Sequence, residues 1–128
     1  MKTYFEDNVK NYLPIIRTLI SDPLEERSVE TDMVIDTGFQ GGVLIPLKTY
    51  IDLNLDLFEE MKATGETAIG GTVELRVSKV LIKLGKAKIR CSAYTTLGVK
   101  RSLIGREVLK ELGLLYRPPK ELKLGINL

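Results

Sequence analysis

The sequence has 128 residues, 44% hydrophobic and 28% charged, enough for one domain with a real core and no disulfide or metal staples. A net charge of +2 is too small to argue for nucleic acid, and a single cysteine allows no internal disulfide. With no histidine, Ser-His-Asp and Cys-His catalysis are excluded, as are the common histidine-bearing zinc sites.

The first ten residues, MKTYFEDNVK, lack the apolar core of a signal peptide, and a disordered or extension segment is expected there. Residues 11–20 (NYLPIIRTLI) are β-rich, with Pro14 suited to an edge strand or a strand start. A polar loop, SDPLEERS (21–28), follows. VETDMVID (29–36) then alternates Val29, Thr31, Met33 and Ile35 against Glu30, Asp32, Val34 and Asp36, the period of a strand. Beyond a Gly-rich turn another strand begins, and Pro46 at a first helical position opens about two helical turns through Leu53.

From Gly70 the strand pattern is more regular. Val73, Leu75 and Val77 share one face, while Val80, Ile82 and Leu84 share the face of opposite parity. The slip at Ser78–Lys79 predicts a bulge or bend in one long strand. LGKAK turns the chain, and Ala87, Ile89, Cys91 and Ala93 face inward from the returning strand, Cys91 as a small buried thiol. The lysines and arginines of KLGKAKIR alternate with apolar residues, as on a solvated face. REVLKELG (106–113) is the clearest helix, with Val108, Leu109 and Leu112 on one side and Gly113 at its end. Pro118-Pro119 breaks the chain before a last short strand at Leu122–Leu124. No run approaches a membrane span, so no membrane partner is expected and a cytoplasmic location is the default. With no repeat and no linker, residues 1–128 read as one mainly β domain, a closed or partly closed sheet with one helix near its end.

Reactive chemistry must come from carboxylates, Lys, Tyr, Ser or Thr, because no Gly-rich dinucleotide or P-loop motif is present. VIDTGFQGG (34–42) sets the Asp36 carboxylate where an apolar strand opens into a Gly-rich loop. Asp and Gly both favour turns, so one reading is a plain turn. The other is an acid–base group held at the end of a buried strand. Asp-Thr-Gly alone is a weak signal, arising by chance in roughly one in forty chains of this length. Two later features give it context: AIGGTVELRV (68–77), and SLIGREVLKELGLL (102–115), where two apolar residues and a glycine open an amphipathic helix.

In that order the three features resemble the single-domain retropepsin-like aspartic proteases, over about residues 12–125. DTGF with its following glycines is similar to the prokaryotic members above all. The resemblance implies a mainly β acid-protease fold, a closed barrel with one C-terminal α-helix and a flap hairpin. It implies an aspartic endopeptidase acting on peptide or protein substrates with no cofactor and no metal. Asp36 is then the catalytic residue, supported by Thr37, Gly38, Leu103, Ile104, Gly105 and Arg106. Gly38, Phe39, Gln40 and the flap residues Ile69, Gly70 and Gly71 contact substrate.

Each chain carries one such Asp and the reaction takes two, so the resemblance also implies a homodimer, with Thr37 bonding across its axis. Two carboxylates side by side share one proton: the ionised one takes a proton from water, and the protonated one donates to the scissile carbonyl. Gly38, having no side chain, lets a substrate backbone lie against it. Two residues depart from the retroviral pattern. Phe39 is bulkier than the usual small residue, and Gln40 replaces an acid that would accept the Arg106 guanidinium. Other readings stay open. The chain could be a non-catalytic dimerisation or peptide-binding module of the same fold, or an unrelated small β-barrel binding protein. Gly70-Gly71 also suits a plain hairpin turn, and Ile104-Gly105-Arg106 an ordinary strand-to-helix junction. Glu30, Asp32, Glu59 and Glu60 read as surface charge, and Tyr50, Tyr94 and Tyr116 as core-edge aromatics.

Overall fold

The computed structural model describes residues 2–60, 63–66 and 69–125. Strand β1 (Lys2–Glu6) pairs antiparallel with β2 (Leu13–Ser21), so the N-terminal segment is an added edge strand. Asn11 and Tyr12 turn the chain between them at positive φ (54° and 61°). The Tyr116 hydroxyl holds that turn, lying 3.0 and 2.9 Å from the Asn11 and Tyr12 carbonyl oxygens. Phe5 packs edge-on against both Tyr12 and Tyr116. Pro14 stands one residue before Ile15, the first β2 residue paired with the next strand, so its missing N–H breaks no bond of that ladder.

β3 (Ser28–Ile35) lies antiparallel to β2 and parallel to β8 (Ser102–Ile104). The expected alternation fails at its end, where Met33, Val34 and Ile35 are all buried. The reason is cover on both faces. Met33 and Ile35 join the main core, and Val34 is buried opposite Ile15, outside that cluster. β4 (Val43–Leu44) sits between β8 and β7 (Ala87–Thr95), and β7 forms a hairpin with β6 (Thr72–Leu84). β6 also pairs with β2 through Leu19–Ser21, so β2, β3, β8, β4, β7 and β6 form a closed ring. β1 and β5 (Ala63–Glu66) flank it as outer strands.

The bulge expected at Ser78–Lys79 is absent. β6 and β7 keep one unbroken register from Arg76↔Thr95 to Leu84↔Ala87. Instead Val77 and Ser78 are both buried, because the covered face changes sides. Val80, Ile82 and Leu84 point into the ring core. The outer half of β6 lies against the 3₁₀ turn Leu55–Phe58, and the Glu60 amide donates to the Val77 carbonyl at 2.8 Å.

Pro46 is the N-cap of helix α1 (Leu47–Asp52), one residue outside the expected first helical position, and Leu53 is the C-cap. Tyr50 on this helix is fully buried in the core rather than at its edge, whereas Tyr116 is 42% exposed. Helix α2 (Arg106–Leu112) buries Val108 and Leu109 and ends at Gly113, whose φ of 79° suits glycine. After it, β9 (Leu114–Arg117) and β10 (Glu121–Leu124) form a separate two-stranded sheet that places Leu122 and Leu124 on the core. No helix among the described residues is long and apolar enough to cross a membrane.

Candidate active site

Asp36 lies one residue past β3. Its amide donates to the Ile104 carbonyl at 2.9 Å, carrying the β3–β8 ladder one step beyond the strands. Its Oδ1 accepts the Gly38 amide at 2.8 Å, and its carbonyl accepts the Phe39 amide at 3.1 Å. The half-buried carboxylate is thus fixed at the ring's rim by its own loop.

The apolar-apolar-Gly segment braces that loop from behind. Three successive amides, those of Gly105, Arg106 and Glu107, donate to the carbonyls of Gly42, Phe39 and Gly41 at 2.8, 2.8 and 3.2 Å. A Cβ on Gly105 would stand 2.5 Å from the Phe39 carbonyl oxygen and 2.6 Å from its ring. Gly105 is there for space, since its backbone is extended (φ −116°). Leu103 and Ile104 belong to β8, Leu103 beside Val34 and Leu44, Ile104 in the core.

The Phe39 ring packs edge-on against Tyr94, centroids 5.8 Å apart, which accommodates its bulk inside the protomer. Thr37 and Gln40 are exposed, and the Thr37 hydroxyl has no hydrogen-bond partner among the described residues. Arg106 is exposed, and its guanidinium forms no ion pair or hydrogen bond among them. Ile69 and Gly70 lie in the turn between β5 and β6, whose last pair is Glu66↔Thr72. Ile69 is 96% exposed, and Gly70 adopts φ 88° with open space around it. Gly71 precedes β6, while Ala68 lies outside the described residues. The chain therefore brings residues 36–42 and 103–107 together, and leaves Ile69 and Gly70 exposed.

Two solved structures are similar to this chain in fold. EIAV protease complexed with the inhibitor HBY-793 superposes with a TM-score of 0.58 at 21% identity, over 83% of this chain and 92% of that one. A retropepsin-like aspartic protease from Rickettsia conorii superposes with a TM-score of 0.67 at 16% identity, over 91% of this chain and 83% of that one. The chain has the retropepsin-like fold. No protein-family model and no curated protein matches the sequence.

On this retropepsin-like fold, three contributors to the site carry no motif of their own. A Cβ on Gly41 would meet the Tyr94 ring at 2.5 Å, and one on Gly42 the Ser92 carbonyl oxygen at 2.5 Å and the Cys91 Sγ at 2.7 Å. Both glycines are needed for close packing on β7, a contact that the Gly-rich turn in the sequence did not disclose. Glu107 Oε1 accepts the Ser92 amide at 3.0 Å, fastening α2 to β7. Its i+1 position after Arg106 gave no hint of that. Burial first, then the charge of Glu107, pushes the Cys91 thiol up to about 12. The carboxylates read as surface charge all have cationic partners. Arg17 meets Glu30 and Asp32, Arg76 meets Glu59, and Lys79 meets Glu60, and Asp32 also accepts the Tyr4 hydroxyl at 3.0 Å.

Proposed function

We propose that this protein is an aspartic endopeptidase that works as a homodimer, with Asp36 from each protomer forming the catalytic pair. The observation that supports it is the anchoring of the Asp36 loop: one carboxylate at a strand end, oriented by the Gly38 amide and braced by the Gly105–Glu107 amides. The proposal is favoured by the fold, which is shared with EIAV protease and the Rickettsia conorii retropepsin-like aspartic protease. One protomer supplies a single carboxylate of this kind, and acid–base hydrolysis of an amide takes two. Across a two-fold axis the pair would share one proton. The ionised Asp36 takes a proton from water as the water attacks the scissile carbonyl carbon, and the protonated Asp36 donates to the carbonyl oxygen. As the tetrahedral adduct collapses and the C–N bond breaks, the Asp36 that took the water's proton passes it to the departing amine, and the other Asp36 takes back a hydroxyl proton as the carboxylic acid forms.

In this reading Thr37 bonds across the axis, Gly38 and Gln40 line the substrate path, and the β5–β6 hairpin closes over the bound peptide as a flap. The test is turnover of a broad peptide mixture by wild type and Asp36→Asn. The substitution keeps the side chain's shape and its acceptor for the Gly38 amide but removes the base, so the rate is expected to fall roughly 10²–10⁴-fold with the fold unchanged. Turnover undiminished in Asp36→Asn would remove Asp36 from the mechanism. A second reading, a non-catalytic peptide-binding or dimerisation module, is favoured by Gln40, which leaves Arg106 without a carboxylate partner. That reading expects no turnover by wild type and unaltered dimerisation in Asp36→Asn. The third reading of the sequence, an unrelated barrel, is overturned by the retropepsin-like fold.

A further inference from the structure

A cleft of about 480 Å³ opens beside the Asp36 loop, lined by Gln40, Gly41, Ser92, Tyr94, Arg106, Glu107 and Lys110. We infer that it is a subsite for a carboxylate carried by an extended acidic peptide, held by the Arg106 guanidinium and the Lys110 ammonium. The inference rests on the proposed peptide-binding role of the Asp36 loop, and it adds a substrate class to that reading.

The charges decide the chemistry. Arg106 and Lys110 are four residues apart on α2, so their side chains lie one above the other on one helix face. Both are exposed, and neither forms an ion pair or hydrogen bond among the described residues. Among the described residues that line the cleft, the one carboxylate is that of Glu107, and its Oε1 accepts the Ser92 amide. Gln40 lines the cleft as a neutral donor and acceptor, where an acid would have offset the Arg106 charge. The cleft therefore carries two cations against one engaged anion. A guanidinium matches a carboxylate in two parallel hydrogen bonds, and an adjacent ammonium adds a third. A neighbouring cleft of about 430 Å³ shares Glu107 and Lys110, but there Arg90 stands against Glu111 and Lys88 is paired with Glu25 at 2.8 Å, so the excess of positive charge is confined to the Arg106–Lys110 cleft. Its position fixes the ligand as part of a longer chain. Gln40 is four residues from Asp36, and the Phe39 and Gly41 carbonyls tie that loop to the first residues of α2, so a peptide lying at Asp36 reaches the cleft within a few residues.

The test uses ¹⁵N-labelled Asp36→Asn protein, which holds peptides without cutting them, titrated with amidated hexaglutamate and separately with amidated hexaglutamine. Hexaglutamate is expected to shift the Gln40 side-chain amide and the Ser92 and Lys110 backbone amides, binding about fivefold more tightly than hexaglutamine. Lys110→Gln, at an exposed position, should remove most of that preference, and so should added salt. Equal binding of the two peptides, or a preference that survives Lys110→Gln, would overturn the inference. So would glutarate alone binding as tightly as hexaglutamate, since the cleft would then serve free dicarboxylates. None of these readouts needs turnover, so an inactive wild type would sink the peptidase reading without being mistaken for a failure of the subsite.

Discussion

The amide of Asp36 and the carbonyl of Ile104 are joined at 2.9 Å, one step past the end of the parallel β3–β8 pair. That bond ties the Asp-Thr-Gly loop to the apolar-apolar-Gly segment, and Gly105 follows it directly. The Gly38 amide orients the Asp36 carboxylate from within the loop, and this junction holds the loop itself in place.

Gly105→Ala should therefore be costly. The added methyl would overlap the Gly41 and Phe39 carbonyl oxygens, backbone groups that cannot swing aside, as well as the Phe39 ring. Overpacking of this kind costs about 1–3 kcal/mol. Chemical denaturation should show a loss in that range, together with weaker binding or turnover of peptide. An alanine variant as stable as wild type would mean that the junction is looser than these distances require.

Thr37→Ala should weaken the dimer and leave the protomer intact, because the hydroxyl is exposed and bonds nothing described within its own chain. Two symmetric hydrogen bonds at about 1 kcal/mol each predict a dimer Kd raised roughly tenfold or more. Analytical ultracentrifugation reads it. An unchanged Kd would place the interface elsewhere.

The turn at Ile69–Gly70 should exchange its amides rapidly in the free protein and slow down when a peptide-like inhibitor binds. An apolar side chain 96% exposed beside a glycine at φ 88° has little to hold it in the free protomer and much to gain from a ligand. Equal exchange with and without a tight inhibitor would mark it as a static turn.

Cys91 makes stability depend on alkaline pH. Its thiol is raised from 9.0 to about 12 by burial, so the folded chain keeps a proton that the unfolded chain gives up. The stabilisation is fully present below about pH 9 and is lost as pH rises toward 12. The urea midpoint of wild type should fall more steeply between these limits than that of Cys91→Ala. Parallel slopes would show that the thiol ionises as readily folded as unfolded.

Much of this arrangement is legible in the residues themselves, and the exceptions have physical causes. α2 is readable because Val108, Leu109 and Leu112 fall on one helical face and Gly113 stops it. The β6–β7 hairpin is readable because alternation holds on either side of Gly85. The pattern misleads at Ser78–Lys79 and at Met33–Ile35, where a strand is covered on both faces and period two no longer separates core from solvent. β1 and β9 are short, and each is settled by distant partners: Thr3 donates its hydroxyl hydrogen to the Leu122 carbonyl, and Tyr116 reaches the Asn11–Tyr12 turn. Within the site, Asp36 and Gly105 stand out through their neighbours in the chain. Gly41 and Gly42 do not, because what makes them necessary is the close approach of Cys91, Ser92 and Tyr94 from another strand.

The central claim is that two Asp36 carboxylates, one from each protomer, act as one catalytic unit. Subunit mixing measures it directly: wild-type protein is allowed to exchange with rising proportions of Asp36→Asn at fixed total concentration, and peptide turnover is followed. If a pair is required, every mixed dimer is inactive, and activity falls as the square of the wild-type fraction. A fall in simple proportion to that fraction, or turnover persisting in pure Asp36→Asn, would contradict it.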